Sequence, residues 1–257
     1  MDNTVYEKRE LMVIEASKHI KDGEIVFTGV GLPVVAATLA QKRHAPNMTI
    51  VVESGVVDPQ LKLVPLSIAD SKIMRRAAMV GTLREVVGCI LQRGMVDVGF
   101  LGAAQIDQYA NLNSTVIGDY YKPKVRFPGS GGANPIASHA KRLLIITPHQ
   151  RRRFVKKCDY ITSPGYIDGP NGRKNAGLRN WNPSITIITD LCVMEIDSTL
   201  GKLRLAKLMP GATIEQVVEN TGFELTMASP VDVVDLPTES ELSLLREIDP
   251  EGIYFQE

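Results

Sequence analysis

Residues 50–55 are Ile50-Val51-Val52-Glu53-Ser54-Gly55, an apolar run that ends at a carboxylate and a glycine turn. The apolar residues predict a short buried strand with Glu53 at its carboxyl end. A carboxylate in this place can act as a nucleophile, and a glycine beside it leaves room for a substrate because it has no side chain. Glu53 is therefore the candidate catalytic residue, with Ser54 and Gly55 as candidate binding residues. The structural alternative is an edge glutamate that pairs with a lysine or caps a helix.

A second glycine turn, Gly129-Ser130-Gly131-Gly132-Ala133-Asn134, follows later in the chain. Backbone N–H groups in such a turn can stabilise a developing oxyanion. The turn lacks the lysine-serine/threonine ending of a Walker motif, which disfavours nucleotide hydrolysis. Asn134 stands where the GxGxxG pattern has its third glycine, so a nicotinamide cofactor has weak support. A tight structural turn is the alternative interpretation.

Strand-like and helix-like segments alternate along the chain. The periodicity predicts helices at 10–21, 33–42 and 82–94, and strands at 24–28, 49–52, 96–101, 143–147, 185–188, 193–196 and 203–207. Capping boxes at 82–85, 213–216 and 238–241 each indicate a helix start. Glycine, proline and asparagine are dense at 107–132 and 165–183, which predicts a long functional loop and an exposed excursion.

This alternation is typical of βαβ units and of a parallel sheet covered on both faces. We therefore predict an α/β fold, a three-layer sandwich with a mostly parallel central sheet flanked by helices. The sequence shows no repeat and no linker, so a single domain is expected over residues 1–257. Ligands of such sheets bind beyond the carboxyl ends of strands. Glu53 follows a predicted strand, and so do the turns that contain Gly29, Gly31 and Gln105.

Composition excludes several classes of partner. The chain has 29 basic and 29 acidic residues and 5% aromatic residues, which disfavours nucleic-acid binding. It has no apolar run of the roughly 18 residues that a membrane span needs. The N-terminus has neither the cationic region nor the apolar region of a secretory signal. A cytoplasmic protein with no nucleic-acid or membrane partner is expected.

The cysteines and histidines indicate no metal centre. Cys89, Cys158 and Cys192 form no CxxC pair, and we predict buried free thiols in a reducing compartment. The four histidines have no metal-ligand spacing, so no metal site is expected.

A basic cluster at Arg151-Arg152-Arg153, with Lys156 and Lys157, has two interpretations. The favoured one is a solvated helix face or a contact with another chain. The binding of coenzyme phosphates is the lesser alternative.

The motifs together resemble a known family. In chain order they are Gly29-x-Gly31-Leu32-Pro33, Val52-Glu53-Ser54-Gly55, Gly102-Ala103-Ala104-Gln105-Ile106-Asp107, Asn113-Ser114-Thr115, the 129–134 turn, Arg151 to Phe154, 162–170 and 219–223. This series resembles the class I coenzyme A transferases, and within them the β subunit of glutaconate CoA-transferase. The 3-oxoacid branch has a Ser-Glu-Asn-Gly motif, whereas Val52 precedes the glutamate here and no asparagine follows it.

The resemblance implies a reaction and a partner. CoA would move from an acyl-CoA to a free carboxylic or dicarboxylic acid such as glutaconate, in a ping-pong reaction through a Glu53 glutamyl-CoA thioester. No bound cofactor is implied, since the CoA thioester is itself the substrate. A separate α subunit is expected to help form the acyl site.

For this reaction, the backbone N–H groups of Gly131, Gly132 and Ala133 are our candidates for oxyanion stabilisation, and Gln105 is a candidate for orienting Glu53 or an acyl oxygen. The alternatives are an acyl-CoA hydrolase or decarboxylase of the family, or, in another class, a non-catalytic effector-binding module.

Overall fold

The computed structural model describes residues 5–255. It contains six α-helices in this range: α1 (Lys8–Lys18), α2 (Leu32–Arg43), α3 (Ala133–His139), α4 (Gly172–Asn175), α5 (Ile214–Glu219) and α6 (Glu239–Ile248). A 3₁₀ turn covers Ser71–Met74 and a π-helix covers Arg84–Leu91.

The strands are short in the first half of the chain and longer in the second. They are β1 (Ile25–Thr28), β2 (Thr49–Val52), β3 (Val56–Val57), β4 (Met79–Val80), β5 (Val98–Leu101), β6 (Gln105–Ile106), β7 (Leu112–Asn113), β8 (Val116–Gly118), β9 (Pro123–Arg126), β10 (Arg142–Ile146), β11 (Ser184–Ile188), β12 (Cys192–Asp197), β13 (Lys202–Leu208) and β14 (Thr226–Val233). Two compact units contain these elements: residues 5–100 with 235–255, and Leu101–Val234.

The first unit is built on the strand order β5-β1-β2-β3-β4. β5, β1 and β2 are parallel, whereas β3 and β4 are antiparallel additions at one side. Phe27 and Val51 are fully buried in the parallel strands, and α1, α2 and α6 pack against one another. Pro33 in the first turn of α2 fits its fixed φ to the helix start.

The second unit has the strand order β14-β13-β12-β11-β10. β10 and β11 are parallel, β12 is antiparallel to both of its neighbours, and β13 and β14 are parallel. Two small antiparallel ribbons, β6–β7 and β8–β9, complete it. Fully buried Ile145, Ile187 and Leu205 lie at the centre of the sheet.

Most of the predicted elements are confirmed. The seven predicted strands all form, α2 begins and ends within one residue of its prediction, and the capping boxes of α5 and α6 make their reciprocal hydrogen bonds. The α1 helix ends at Lys18, before the predicted limit of 21. The segment after Thr82 makes its predicted capping hydrogen bonds, but the helix that follows is a π-helix and not an α-helix.

Four expectations were wrong. The 107–132 segment contains β7, β8 and β9 rather than a continuous loop. The 165–183 excursion is not wholly exposed, because Tyr166 and Arg173 in it are buried. Arg151–Arg153 lie in a turn and not on a helix. Cys158 and Cys192 are buried free thiols as predicted, but the Cys89 thiol is exposed.

Within residues 5–255, no helix is long and apolar enough to cross a membrane.

Candidate active site

Glu53 lies at the carboxyl end of β2, beside the glycine turn that follows β1. The two strands are parallel, with Thr28 opposite Val52. Gly29 and Glu53 are the next residues, so they lie side by side at the carboxyl ends of neighbouring strands. Val52 is buried, whereas Glu53 is half-exposed. Gly31 has a φ of 95° and forms the N-cap of α2. The first unit therefore brings three of the predicted site residues to one edge of its sheet.

Ser54 and Gly55 form a tight turn after Glu53. The Gly55 N–H donates to the Val52 carbonyl at 3.0 Å, and the Gly81 N–H donates to the Gly55 carbonyl at 2.9 Å. Gly55 has a φ of 107°, and a Cβ on it would stand 2.3 Å from the Gly81 carbonyl oxygen. The need for glycine at position 55 thus comes from the backbone of Gly81. The Ser54 Oγ is buried and has no hydrogen-bond partner among residues 5–255.

Gln105 lies on β6 in the second unit, and its side-chain amide is fixed by three hydrogen bonds. Its Oε1 accepts from the Asn113 Nδ2 at 2.7 Å and from the Asp159 N–H at 3.0 Å. Its Nε2 donates to the Asp159 carboxylate at 3.0 Å. The amide is therefore held rigidly within the second unit. Its role towards Glu53 or an acyl oxygen stays a prediction.

The 129–134 turn leads directly into α3. The Ala133 N–H donates to the Ser130 carbonyl at 2.8 Å, and the Asn134 N–H donates to the Ser130 Oγ at 3.0 Å. Gly131 is exposed and has a φ of 47°, whereas Gly132 is buried at the N-cap of the helix. Of the three predicted oxyanion donors, Ala133 already uses its N–H inside the turn, and Gly131 is the one presented to solvent.

A hydrogen-bond network connects Gln105 with this turn. Next to Asn113 in the chain, Ser114 exchanges two hydrogen bonds with Gly129, at 3.0 and 3.1 Å. The Ser114 N–H also donates to the Thr162 Oγ1 at 2.9 Å, and the Asn134 side chain donates to the Thr162 carbonyl at 3.0 Å. Thr162 therefore holds the 129–134 turn in place, a structural role that the chemistry of single motifs did not reveal. Its only sequence signal was the Thr-Ser-Pro-Gly run itself.

The basic cluster divides into separate roles. Arg151 donates to the Glu219 and Thr221 carbonyls at 2.9 and 3.1 Å, which fixes the end of α5. Arg153 donates to the Ala103 carbonyl at 2.8 Å, next to the Gln105 strand. Arg152 and Arg153 line a cavity that also contains Gln105.

A buried histidine in the second unit was not recognised from the sequence. His149 lies within 3.2 Å of the Thr189 Oγ1 and 3.1 Å of the Thr221 Oγ1, and its ring stacks on Phe154 with 4.1 Å between centroids. Burial lowers the pKa of His149 to about 4, although the charge of Asp190 partly opposes the shift. The imidazole is therefore neutral near pH 7, and its contacts are those of a packed core residue.

Within residues 5–255, no group of three or more histidine, cysteine, aspartate or glutamate side chains is arranged to hold a metal ion. Glu53 and the glycine turns stay the predicted site residues. A carboxylate at a strand end can attack an acyl carbonyl, and an exposed backbone N–H can bind the oxygen that becomes charged.

Comparison with known proteins identifies the family. A family model described as Coenzyme A transferase matches residues 10–220. The chain belongs to this family. The B subunit of the 3-oxoadipate CoA-transferase of Pseudomonas knackmussii is 44% identical over 246 residues, which is 96% of this chain and 94% of the relative. The B subunit of the glutaconate CoA-transferase of Acidaminococcus fermentans is 38% identical over 260 residues, which is 99% of this chain and 97% of the relative.

Solved structures agree with this assignment. The crystal structure of glutaconate CoA-transferase from Acidaminococcus fermentans matches with a TM-score of 0.92 over 100% of both chains. The decarboxylase AibA/AibB matches with a TM-score of 0.83 and 28% identity over 96% of both chains. The predicted family, the α/β fold with its central sheet between helices, and the CoA-transferase class of enzyme are confirmed.

The comparisons also bear on the alternatives. Both CoA-transferase relatives are more similar to the chain than the decarboxylase is, so decarboxylation is not favoured. An effector-binding module is not favoured either. Both relatives are named as the B subunits of their enzymes.

Proposed function

We propose that Glu53 is the nucleophile of CoA transfer between an acyl-CoA and a free carboxylate. The observation that carries the proposal is the position of Glu53 at the end of β2, level with Gly29 at the end of β1. The space beside Gly29 is open, because a Cβ built on it would meet nothing within 4 Å. The carboxyl ends of parallel strands are where ligands of this fold class bind.

The proposed reaction balances without water. The Glu53 carboxylate attacks the thioester carbonyl, which gives a mixed anhydride and releases CoA thiolate. The thiolate then attacks the glutamyl carbonyl, forms a glutamyl-CoA thioester and releases the first acid. The acceptor carboxylate attacks this thioester to give a second anhydride and CoA thiolate, and the thiolate attacks the acyl carbonyl of that anhydride. The new acyl-CoA leaves and the Glu53 carboxylate is restored, so the thioester energy is retained.

Each addition step develops negative charge on a carbonyl oxygen. The N–H of Gly131 is the proposed donor to this oxyanion, because Gly131 is an exposed residue, whereas the Ala133 N–H is held by Ser130. One such donor is worth about 3–4 kcal/mol of barrier. Gln105, whose amide is fixed by Asn113 and Asp159, is the proposed orienting group for an acyl oxygen.

The proposed acids are dicarboxylates. The two relatives are named for glutaconate and 3-oxoadipate, which both carry a second carboxylate. CoA enters as substrate, and the reaction as written needs no further cofactor. The proposed location is the cytoplasm, where the free thiols of Cys89, Cys158 and Cys192 stay reduced.

The proposed partner is an α subunit, and the proposed contact is an apolar surface of the first unit. Edge strand β4 has both of its residues exposed, which leaves backbone groups of an edge strand open to a partner. The surrounding segment exposes large apolar side chains, which on a soluble protein mark an interaction site. They are Leu63, Leu66, Ile68, Met74, Met79, Val80, Leu83 and Met95.

Co-expression tests the partner. Val80→Asp should abolish co-purification with the α chain while the variant stays folded, because a carboxylate would be buried without a partner. The matched control is Leu200→Asp, at an exposed apolar residue of the second unit. Equal co-purification of both variants with the α chain would contradict this surface.

Covalent trapping tests the nucleophile. The assembled enzyme is incubated with acyl-CoA in the absence of an acceptor, treated with borohydride and digested for mass spectrometry. A reduced thioester at Glu53 is expected. Turnover with an unmodified Glu53 would contradict the mechanism, and rapid release of free acid without an acceptor would indicate a hydrolase.

A further inference from the structure

A cavity of about 370 Å³ in the second unit combines an apolar floor with a charged rim. The floor belongs to the β8–β9 ribbon, where Ile117 stands directly opposite Val125. Phe127 directly follows β9, donates its N–H to the Thr115 carbonyl at 2.9 Å and also lines the cavity. Val125 is 46% exposed, which is a large apolar area for a surface ribbon.

The rim is formed by two arginines without an anionic partner. Arg152 donates through Nε to the Gln150 side chain at 2.8 Å, and Arg153 donates to the Ala103 carbonyl at 2.8 Å. Among residues 5–255, no carboxylate forms an ion pair with either guanidinium, and the buried Nε of Arg153 has no hydrogen-bond partner. Burial, and then the charge of Arg152, lower the pKa of Arg153.

Two neighbouring cations with unused donors are a recognition site for an anion. Guanidinium groups bind carboxylate and phosphate oxygens through paired hydrogen bonds, and these are among the stronger hydrogen bonds in proteins. The bound anion would also relieve the repulsion between Arg152 and Arg153. A free inorganic ion would leave the apolar floor uncovered, whereas an organic anion would cover it.

We propose that the Arg152–Arg153 cavity binds the anionic end of an organic substrate, with an apolar part of the same molecule on Ile117, Val125 and Phe127. This rests on the proposed function for the choice of anions, which are a phosphate of the CoA nucleotide and the distal carboxylate of a dicarboxylic acyl group. The position of Gln105 in the same lining places the cavity next to a proposed orienting residue.

Binding to the assembled enzyme tests the proposal without turnover. Calorimetry compares wild type, Arg152→Gln and Val125→Asp with CoA, dephospho-CoA, glutarate and butyrate. Arg152 is chosen because it is exposed and its side chain donates to Gln150, only two positions away, so its removal spares the fold. The control is Arg179→Gln, which removes an exposed arginine of the same unit that does not line the cavity.

We expect Arg152→Gln to weaken binding of the recognised anion about tenfold, the effect of one charge-assisted hydrogen bond. If Arg152→Gln binds CoA more weakly than wild type does but binds dephospho-CoA equally well, the cavity binds the 3′-phosphate. If Arg152→Gln binds glutarate more weakly but binds butyrate equally well, the cavity binds the distal carboxylate. Val125→Asp should weaken the same ligand, and Arg179→Gln should weaken none.

Unchanged affinities for all four ligands in Arg152→Gln would overturn the proposal. So would a loss of assembly with the α chain in Arg152→Gln with normal ligand binding, because the rim would then face the partner. The trapping experiment on Glu53 is read separately. Absence of the adduct together with Arg152-dependent binding would refute the nucleophile and retain the cavity.

Discussion

Gly55 and Gly81 lie in direct backbone contact. The Gly81 N–H donates to the Gly55 carbonyl at 2.9 Å, and no side chain fits between the two residues. This contact joins the turn after the proposed nucleophile Glu53 to the loop that starts the π-helix at Arg84. The geometry of the turn after Glu53 therefore depends on a segment that is distant in sequence.

Gly55→Ala should destabilise the protein by about 2–4 kcal/mol. The alanine Cβ would stand 2.3 Å from a carbonyl oxygen at a φ of 107°, which combines overpacking with backbone strain. Urea unfolding measures the loss. The control is Gly88→Ala, where a Cβ meets nothing within 4 Å, and this variant should unfold at or above the wild-type midpoint. Equal midpoints for both variants would contradict the close approach.

Arg173→Met should cost about 3–5 kcal/mol, because it leaves buried carbonyl groups without their donor. Arg173 is fully buried and donates to the Pro164, Gly165 and Ala137 carbonyls, each at 2.9 Å. Burial lowers the pKa of this guanidinium to about 10, so it stays charged near pH 7. The control Lys174→Met removes an exposed neighbour and should cost less than about 1 kcal/mol by thermal unfolding.

The sequence was sufficient for elements whose signals are local. The strand at 49–52 follows from three apolar residues, and the starts of α5 and α6 follow from the Thr213 and Thr238 capping boxes. These patterns require only neighbours within four positions. The position of Glu53 at a strand end could be predicted for the same reason, whereas the alternative of a merely structural glutamate could not be rejected without the family.

Hydrogen bonds outside the recognised sequence motifs explain what the sequence could not predict. The glycine-rich 165–183 segment is partly buried because the Arg173 side chain in it donates hydrogen bonds to the carbonyl of Pro164 and to the carbonyl of Ala137 in α3. The N–H of Ala133 is taken by Ser130, which composition and spacing do not reveal. The Thr82 cap was correctly predicted, but no local sequence signal indicates that the following helix has the hydrogen bonds of a π-helix and not those of an α-helix.

Acid should destabilise the second unit through His149. Burial holds the pKa of His149 at about 4 in the folded chain, against an ordinary value of 6.5. Between these pH values the unfolded chain binds the proton and the folded chain does not, so stability falls as the pH falls. The contribution lost is roughly 3 kcal/mol by pH 4, below which it levels off.

His149→Gln removes this proton and should flatten the pH dependence. Urea unfolding of wild type and variant at pH 7, 5.5 and 4 measures the difference. The variant is expected to be less stable at pH 7, because it loses the stacking on Phe154, and to lose less stability on acidification. Parallel pH profiles for the two proteins would show that His149 does not cause the acid sensitivity.

The 129–134 turn predicts different defects at two adjacent glycines. Gly131→Val places a branched side chain at an exposed left-handed position and displaces the proposed oxyanion donor, so transfer should fall by about 100-fold, while the backbone strain lowers stability by about 1–3 kcal/mol. Gly132→Val forces a side chain into a buried helix start and should mainly lower Tm. Turnover, Tm and association with the α chain are measured on one preparation. A folded, assembled and fully active Gly131→Val would remove Gly131 from the catalytic mechanism.

Glu53→Asp should lower CoA transfer by about 100-fold or more while the fold is kept. Removing one methylene withdraws the carboxylate by about 1 Å, which is enough to spoil the attack geometry of a positioned nucleophile. Steady-state transfer between an acyl-CoA and a free acid measures the loss, and Tm reports the fold. The control is Glu224→Asp, the same change at an exposed glutamate of the second unit, which should transfer at the wild-type rate. Hydrolysis of the acyl-CoA by Glu53→Asp is expected to become detectable, because the retracted carboxylate leaves space for a water that it can activate. Transfer at the wild-type rate in Glu53→Asp would show that the carboxylate does not attack the thioester.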